Sequence, residues 1–148
     1  MIPVFKLHPE AKLPERQHAT DAGYDLTSVE AVTLRPGQTI TVRTGLAMEL
    51  PDHLFGWVVD RSSLSAQSIK VLGGIIDPGY RGEIRVVLHY LYHHPDGKDN
   101  QRFIPAGKRV AQLLLLPRVN AVFHPAVTLS ESDRGANGFG STDRKGME

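Results

Sequence analysis

The sequence predicts an all-β domain, on three observations. Its 14 glycines and 10 prolines are spread along the chain and separate short runs rich in Val, Ile, Leu and Thr. Turn signals recur about every 8–12 residues, a spacing that is typical of β-sandwiches and barrels. Segments with the periodicity of an amphipathic helix are almost absent.

Four runs have the character of strands. Those at 39–43 and 83–90 alternate apolar and polar residues, which indicates one face in water. Those at 55–60 and 109–117 are more continuously apolar and indicate fuller burial. Turns are expected at 35–37, 49–52, 77–79, 95–98 and 105–108.

One short helix is expected over 62–67, opened by a serine cap. The leucine run at 113–116 is long for a strand with one solvated face, so we expect burial on both faces. The cover would come either from the core of the same domain or from another subunit.

The composition indicates a cytoplasmic enzyme or binding domain. The 148 residues suit one domain, which we place at 1–132, followed by a flexible C-terminal arm at 133–148. A net charge of +1 argues against stable nucleic-acid binding, and the absence of cysteine excludes disulfides. No segment has the character of a signal peptide or of a membrane span of about 20 apolar residues.

Two internal segments carry candidate chemistry. Arg61, Ser62 and Ser63 follow a buried strand, where they would either bind an anion at a helix start or simply cap the helix. The segment 73–83 reads as a hairpin whose bend carries Asp77 and Tyr80. Asp77 is either a turn-capping carboxylate or a general base. Tyr80 is either core filler or a platform beneath a ring.

Two further segments leave alternatives open. Asp25 is either a carboxylate near a metal or part of a strand-end ion pair or turn. The glycine-rich tail from Arg134 is either a frayed terminus or an arm that orders over an anionic ligand bearing a flat ring. In the second case its Arg and its Gly-Ser-Thr run would bind phosphate, and Phe139 would stack on the ring.

Five segments, in this order, closely resemble the five motifs of the trimeric deoxyuridine triphosphate nucleotidohydrolases (dUTPases). Each motif alone is weak, but together they span essentially the whole chain. They lie at 22–26, 61–65, 74–83, 107–113 and 134–142.

The resemblance implies a distorted jelly-roll β-barrel, a homotrimer with active sites shared between subunits, and dUTP bound with Mg²⁺. Asp77 corresponds to the carboxylate that activates water for in-line attack on the α-phosphorus. Tyr80 corresponds to a ring packed against deoxyribose, and Asp25 to a carboxylate that supports the metal through water. The hairpin backbone would read uracil at Gly74, Ile75, Ile76, Arg85 and Val87.

The phosphate side of the implied site comes from other motifs. Phosphate contacts are implied for Arg61, Ser62, Ser63 and Gln112. Tail contacts are implied for Arg134, Phe139, Gly140, Ser141 and Thr142. The implied reaction yields dUMP and pyrophosphate, which limits uracil in DNA and supplies dUMP for dTMP synthesis.

The chain departs from the family pattern at two places. Asp60 stands where the family often has Pro or Gly, and it would either pair with Arg61 or face solvent. The segment 91–103 predicts a long polar hairpin.

Two other functions compete with dUTP hydrolysis. The related dCTP deaminases carry a Glu at the position of Val87 and an Arg at the position of Ala66, and this chain has lost both. A non-catalytic nucleotide-binding protein would not require the acid at Asp77.

Overall fold

The computed structural model describes residues 1–92 and 100–136, which form eleven strands and one short helix. The strands are β1 Val4–Lys6, β2 Tyr24–Thr27, β3 Val32–Leu34, β4 Thr39–Arg43, β5 Leu46–Met48, β6 Leu54–Val59, β7 Ile69–Leu72, β8 Ile75–Ile76, β9 Arg85–Tyr90, β10 Arg102–Ile104 and β11 Arg109–Pro117. The helix α1 is Ser62–Ser65. The all-β prediction is confirmed.

The named strands pair antiparallel in four sheets. The largest has the order β2-β11-β6-β8, and a three-stranded sheet has the order β4-β9-β7. Two pairs, β1-β5 and β10-β3, complete the arrangement. Strands β2, β6 and β11 of the first sheet and β4, β7 and β9 of the second all contribute to one apolar core, which includes Leu26, Val42, Val58, Leu88 and Val110.

The strand predictions agree with the structure to within a few residues. The runs at 39–43 and 109–117 match β4 and β11, and the predicted run at 83–90 begins later, at Arg85. The turns at 35–37, 77–79 and 105–108 are closed by backbone hydrogen bonds of 3.0 Å, 3.0 Å and 3.2 Å. Most of the predicted hairpin at 91–103, including the turn at 95–98, lies outside the described residues.

The leucine run does not behave as expected within a single chain. Leu113 is buried, but Leu114, Leu115 and Leu116 are only half-buried. Leu114 pairs across the sheet with Trp57, whose side chain is 43% exposed, so this face of β11 and β6 is not fully covered. Cover by the core of the same domain is therefore wrong, and cover by another subunit stays a prediction.

No helix in the described part of the chain is long and apolar enough to cross a membrane.

Candidate active site

The segment 73–84 connects β7 to β9, which pair with each other antiparallel. Within it the two-residue strand β8 pairs instead with β6, so the loop is attached to both large sheets. The predicted hairpin is thus present, but β7 and β9 are its arms. A cavity of about 260 Å³ opens beneath the loop, and we call it the hairpin cavity. Seven predicted site residues line it: Gly74, Ile75, Ile76, Asp77, Tyr80, Arg85 and Val87.

Gly74 is required where the loop crosses β6. Its φ of +99° lies in the left-handed region, and its carbonyl accepts a hydrogen bond of 2.7 Å from Val58 N–H. A Cβ at this position would meet the Val58 carbonyl oxygen and lie 3.2 Å from its carbon. Any other residue would push the loop away from β6 and reshape the cavity.

Asp77 lies at the exposed bend of the loop. The backbone itself closes this turn, because Tyr80 N–H donates to the Asp77 carbonyl at 3.0 Å. No described residue forms a hydrogen bond or an ion pair with the Asp77 carboxylate, so the turn-capping alternative fails. The carboxylate is available to accept a proton at the rim of the cavity.

Tyr80 also lines the cavity rather than the core, since its side chain is 45% exposed. Its hydroxyl donates a hydrogen bond of 3.0 Å to the Glu83 carbonyl. The core-filler alternative is therefore excluded, and the ring presents a face to the cavity.

Glu83 has a structural part that sequence reasoning missed. Its side chain is 8% exposed and accepts hydrogen bonds from Arg43 Nε, Arg85 Nε and Gly45 N–H at 3.1, 3.1 and 2.9 Å. Burial alone raises the pKa of Glu83, but the bonds from Arg43, Gly45 and Arg85 outweigh it and hold the pKa below its usual 4.5. The only sequence signal was its place at the end of the third motif.

A second cavity, of about 210 Å³, is lined mostly by polar residues from three separate stretches. We call it the arginine cavity. Asp25, Arg61, Ser62 and Gln112 from the predicted set contribute to it, together with Gln17, Asp21, Ala22 and Gly23. Among the described residues, none lines both cavities.

The Asp25 carboxylate joins two arginines at this cavity. One oxygen accepts from Arg61 Nε at 2.8 Å and the other from Arg109 Nη1 at 3.1 Å. The open alternative of an ion pair for Asp25 is therefore realised. Sequence reasoning assigned no role to Arg109, although it lies within the fourth motif. The pairing of β11 with β2 has a β-bulge between Arg109 and Ala111, next to this ion pair.

Gln112 and Asp60 connect the arginine cavity to the hairpin. Gln112 Nε2 donates to the Asp60 carbonyl at 2.7 Å. The Asp60 carboxylate accepts from Val71 N–H at 2.6 Å and pairs with Lys70. Both expectations for Asp60 were wrong, because β7 lies beside the end of β6 and offers a backbone N–H as well as an ammonium group.

The short helix also differs from expectation. Its N-cap residue is Arg61, and no side chain makes a capping hydrogen bond. The predicted serine cap is wrong because Ser62 and Ser63 already lie inside the helix, with both residues exposed. Ser62 lines the arginine cavity, whereas Ser63 lines neither cavity.

The chain beyond β11 is exposed over its whole described length. Arg134 lies in a turn at 133–136, away from both cavities. Phe139, Gly140, Ser141 and Thr142 lie outside the described residues.

The described residues contain no group of three or more His, Asp or Glu side chains that could hold a metal. Two acids, Asp21 and Asp25, line the arginine cavity, and Asp25 is already paired with two arginines. The side chains therefore do not form a complete cage for a divalent cation. They fit an ion carried by phosphates and reached through water.

Known proteins resemble this chain over most of its length. A family model described as dUTPase matches residues 9–143. The deoxyuridine 5'-triphosphate nucleotidohydrolase of Corynebacterium diphtheriae is 43% identical over 145 residues, covering 96% of this chain and 92% of that protein. That of Leifsonia xyli subsp. xyli is 42% identical over 138 residues, covering 88% and 85%.

Two known structures are similar in three dimensions. A Staphylococcus bacteriophage 80alpha dUTPase mutant with dUpNHpp has a TM-score of 0.88 at 28% identity, covering 96% of this chain and 98% of that chain. A dUTPase mutant from phage phi11 of S. aureus, described as coordinating a structural Mg(II) ion, has a TM-score of 0.80 at 25% identity, covering 88% and 99%.

The antiparallel strands and these similarities place the domain among the distorted jelly-roll β proteins. The family match extends over most of the sequence, including the described residues of both cavities, and the two relatives cover 88% and 96% of the chain. The chain belongs to the dUTPase family.

Proposed function

We propose that this chain is a dUTP diphosphatase, which hydrolyses dUTP to dUMP and pyrophosphate. The observation that carries the proposal is the carboxylate of Asp77 at the rim of the hairpin cavity, which pairs with no described residue. In the cell the reaction would limit uracil incorporation into DNA and supply dUMP for dTMP synthesis. The cytoplasmic location stays a prediction from the sequence.

Uracil would enter the hairpin cavity. Its lining combines Gly74 and apolar residues with the charged residues Asp77, Glu83 and Arg85, which suits a flat ring with polar edges. The backbone near Gly74, Ile75, Ile76, Arg85 and Val87 would read the ring edge by hydrogen bonds. Cytosine exchanges donor and acceptor on that edge, so its binding would leave buried polar groups unpaired.

Asp77 would act as the general base. Its carboxylate would take a proton from water as the water oxygen bonds to the α-phosphorus. The bond from that phosphorus to the bridging oxygen would break on the opposite side, and pyrophosphate would leave. Asp77 contributes no capping bond to its own turn, which leaves both oxygens for this work.

The arginine cavity would hold phosphates. Arg61 uses Nε on Asp25 and Nη1 on the Arg109 carbonyl, so the Nη2 end remains for an anion. Exposed Ser62 and Ser63 would add hydroxyl donors, and Gln112 would reach toward the α-phosphate. The ion pair with Asp25 would hold the Arg61 guanidinium in a fixed orientation, in addition to offsetting part of its charge.

Mg²⁺ would belong to the triphosphate substrate, where it would neutralise charge on the phosphate oxygens. Asp25 would support the ion through water, because its own oxygens already accept from two arginines. The tail would complete the site through Arg134, Phe139, Gly140, Ser141 and Thr142.

We also propose a homotrimer whose active sites are shared between subunits. Beyond β11, five large apolar residues are almost fully exposed: Val119, Val122, Phe123, Val127 and Leu129. The half-covered face of Leu114 and Trp57 adds to this surface. A lone chain would leave these groups in water, and burying them against other copies would stabilise an assembly.

A pyrophosphate-release assay with dUTP, dCTP, dTTP and UTP tests the proposed activity. We expect kcat/KM for dUTP to exceed the others by a large factor, up to about 10⁴–10⁵ for the base edge. Comparable rates with dCTP would contradict the proposed reading of the hairpin cavity. Binding of dUTP without any pyrophosphate release would instead favour the non-catalytic alternative.

A further inference from the structure

The Tyr80 ring lies directly on the backbone of Gly82. A Cβ placed on Gly82 would meet the Tyr80 hydroxyl oxygen, and it would lie 2.6 Å from Cζ and 2.9 Å from Cε2. The φ of Gly82 is not in the left-handed region, so its backbone suits any residue. The ring is therefore what a side chain at position 82 would displace.

The other contact that fixes the ring is its hydrogen bond to the Glu83 carbonyl. That carbonyl belongs to a well-anchored residue, because the Glu83 carboxylate is bound by Arg43 and by Gly45 N–H. The next residue, Ile84, is fully buried and donates its N–H to the Leu46 carbonyl at 2.7 Å. The Tyr80 ring thus lies between the backbone of Gly82, which has no side chain, and the Glu83 carbonyl, which accepts its hydrogen bond from a fixed position.

We propose that Gly82 and Glu83 determine sugar specificity by positioning the Tyr80 ring. This inference rests on the proposed function, in which the ring packs against deoxyribose. A 2′-hydroxyl is rejected only while the ring is held at one place against the sugar. With the ring displaced, the cavity gains room and the penalty on a ribonucleotide falls. Gly82 and Glu83 act through Tyr80 and are positioning residues.

Gly82→Ala tests the proposal, and Gly79→Ala is its matched control in the same loop. A Cβ at Gly79 would meet nothing within 4 Å. The readout is the ratio of kcat/KM for dUTP to kcat/KM for UTP, which a general loss of stability does not change. We expect Gly82→Ala to lower this ratio about tenfold or more and Gly79→Ala to leave it unchanged.

A double-variant cycle separates the ring from other effects of the added methyl group. Tyr80→Ala removes the ring, so Gly82→Ala should have no further effect on the ratio in that background. Tyr80→Phe keeps the ring but removes its bond to Glu83, and we expect a loss of selectivity of about two- to tenfold. If Gly82→Ala is insoluble, Tyr80→Phe is the remaining test. An unchanged ratio of kcat/KM for dUTP to kcat/KM for UTP in that variant would overturn the inference.

The outcomes distinguish this inference from the proposed function. Failure of the wild-type protein to hydrolyse dUTP would remove the proposed function and the inference together. A wild-type protein that prefers dUTP, with an unchanged ratio in Gly82→Ala, would overturn the inference alone. Equal reductions of the ratio in Gly82→Ala and Gly79→Ala would also overturn it.

Discussion

The hairpin cavity and the arginine cavity differ in how the chain builds them. The first is lined almost entirely by one stretch, 71–87, with Val58 as the contribution of β6. The second draws on three stretches, 17–25, 61–62 and Gln112, and its Asp25 carboxylate pairs with Arg61 and with Arg109. The hairpin cavity is therefore formed mainly by residues that are close together in the sequence. The arginine cavity forms only when strands that are distant in the sequence have paired.

The two cavities also hold complementary chemistry and have no described residue in common. The hairpin cavity has the Asp77 carboxylate, which no described residue pairs with, and the arginine cavity has the Arg61 guanidinium, a donor that suits phosphate. A nucleoside triphosphate needs both. This separation is why we propose that each active site combines the hairpin cavity of one subunit with the arginine cavity of another.

The largest expected effect is on catalysis at the hairpin cavity. Asp77→Asn should lower kcat by about 10²–10⁴, because the amide keeps the shape but cannot accept a proton from water. Binding of a non-hydrolysable dUTP analogue, measured by calorimetry, should change little. A variant that keeps more than about a tenth of wild-type kcat would place the base elsewhere.

The next effect concerns the charge buried beside the hairpin cavity. Glu83→Gln should lower the free energy of unfolding by about 2 kcal/mol at neutral pH, since it weakens hydrogen bonds from Arg43 and Arg85. The folded-state pKa of Glu83 is depressed, so its contribution is complete above the unfolded value near 4.5 and is lost as pH falls through the folded value.

Urea unfolding of both proteins across this pH range measures the difference. The gap in unfolding free energy between wild type and Glu83→Gln should be constant down to about pH 4.5 and then narrow. A gap that grows on acidification would show that the carboxylate is not held in its charged form.

A smaller effect is expected at the connection between the two cavities. Asp60→Ala should destabilise the fold by about 1–2 kcal/mol, since Val71 N–H loses its acceptor. Asp60→Asn keeps an acceptor and, like Lys70→Met, should cost less than about 1 kcal/mol, because Lys70 is half exposed. Equal losses for Asp60→Ala and Asp60→Asn, measured by thermal unfolding, would mean that charge and not the backbone bond matters.

Structure formed by residues close in the sequence could be predicted, whereas contacts between distant strands could not. Strands β4 and β11 and the acid-bearing bend were predicted because alternation and turn residues act locally. The partners of Asp60 and Glu83 were not predicted, since they depend on β7 lying beside the end of β6 and on the β4–β5 connection reaching the loop. Neither contact has a signature in residue spacing.

The leucine run shows a second limit. Its continuous apolar character predicted burial on both faces, yet Leu114 to Leu116 are half-buried in one chain. An apolar run predicts that a surface is buried, but it does not identify the molecule that buries it. The same holds for the exposed apolar residues of 119–129.

Subunit mixing tests the shared-site claim most directly. Asp77→Asn and Arg61→Ala should each be nearly inactive alone, and mixed trimers, confirmed by native mass measurement, should release pyrophosphate from dUTP. Random mixing joins an intact Asp77 to an intact Arg61 at about one subunit boundary in four, so activity should return to about a quarter of wild type. Mixed trimers with no recovered activity would show that Asp77 and Arg61 of one chain serve the same site, which contradicts the account.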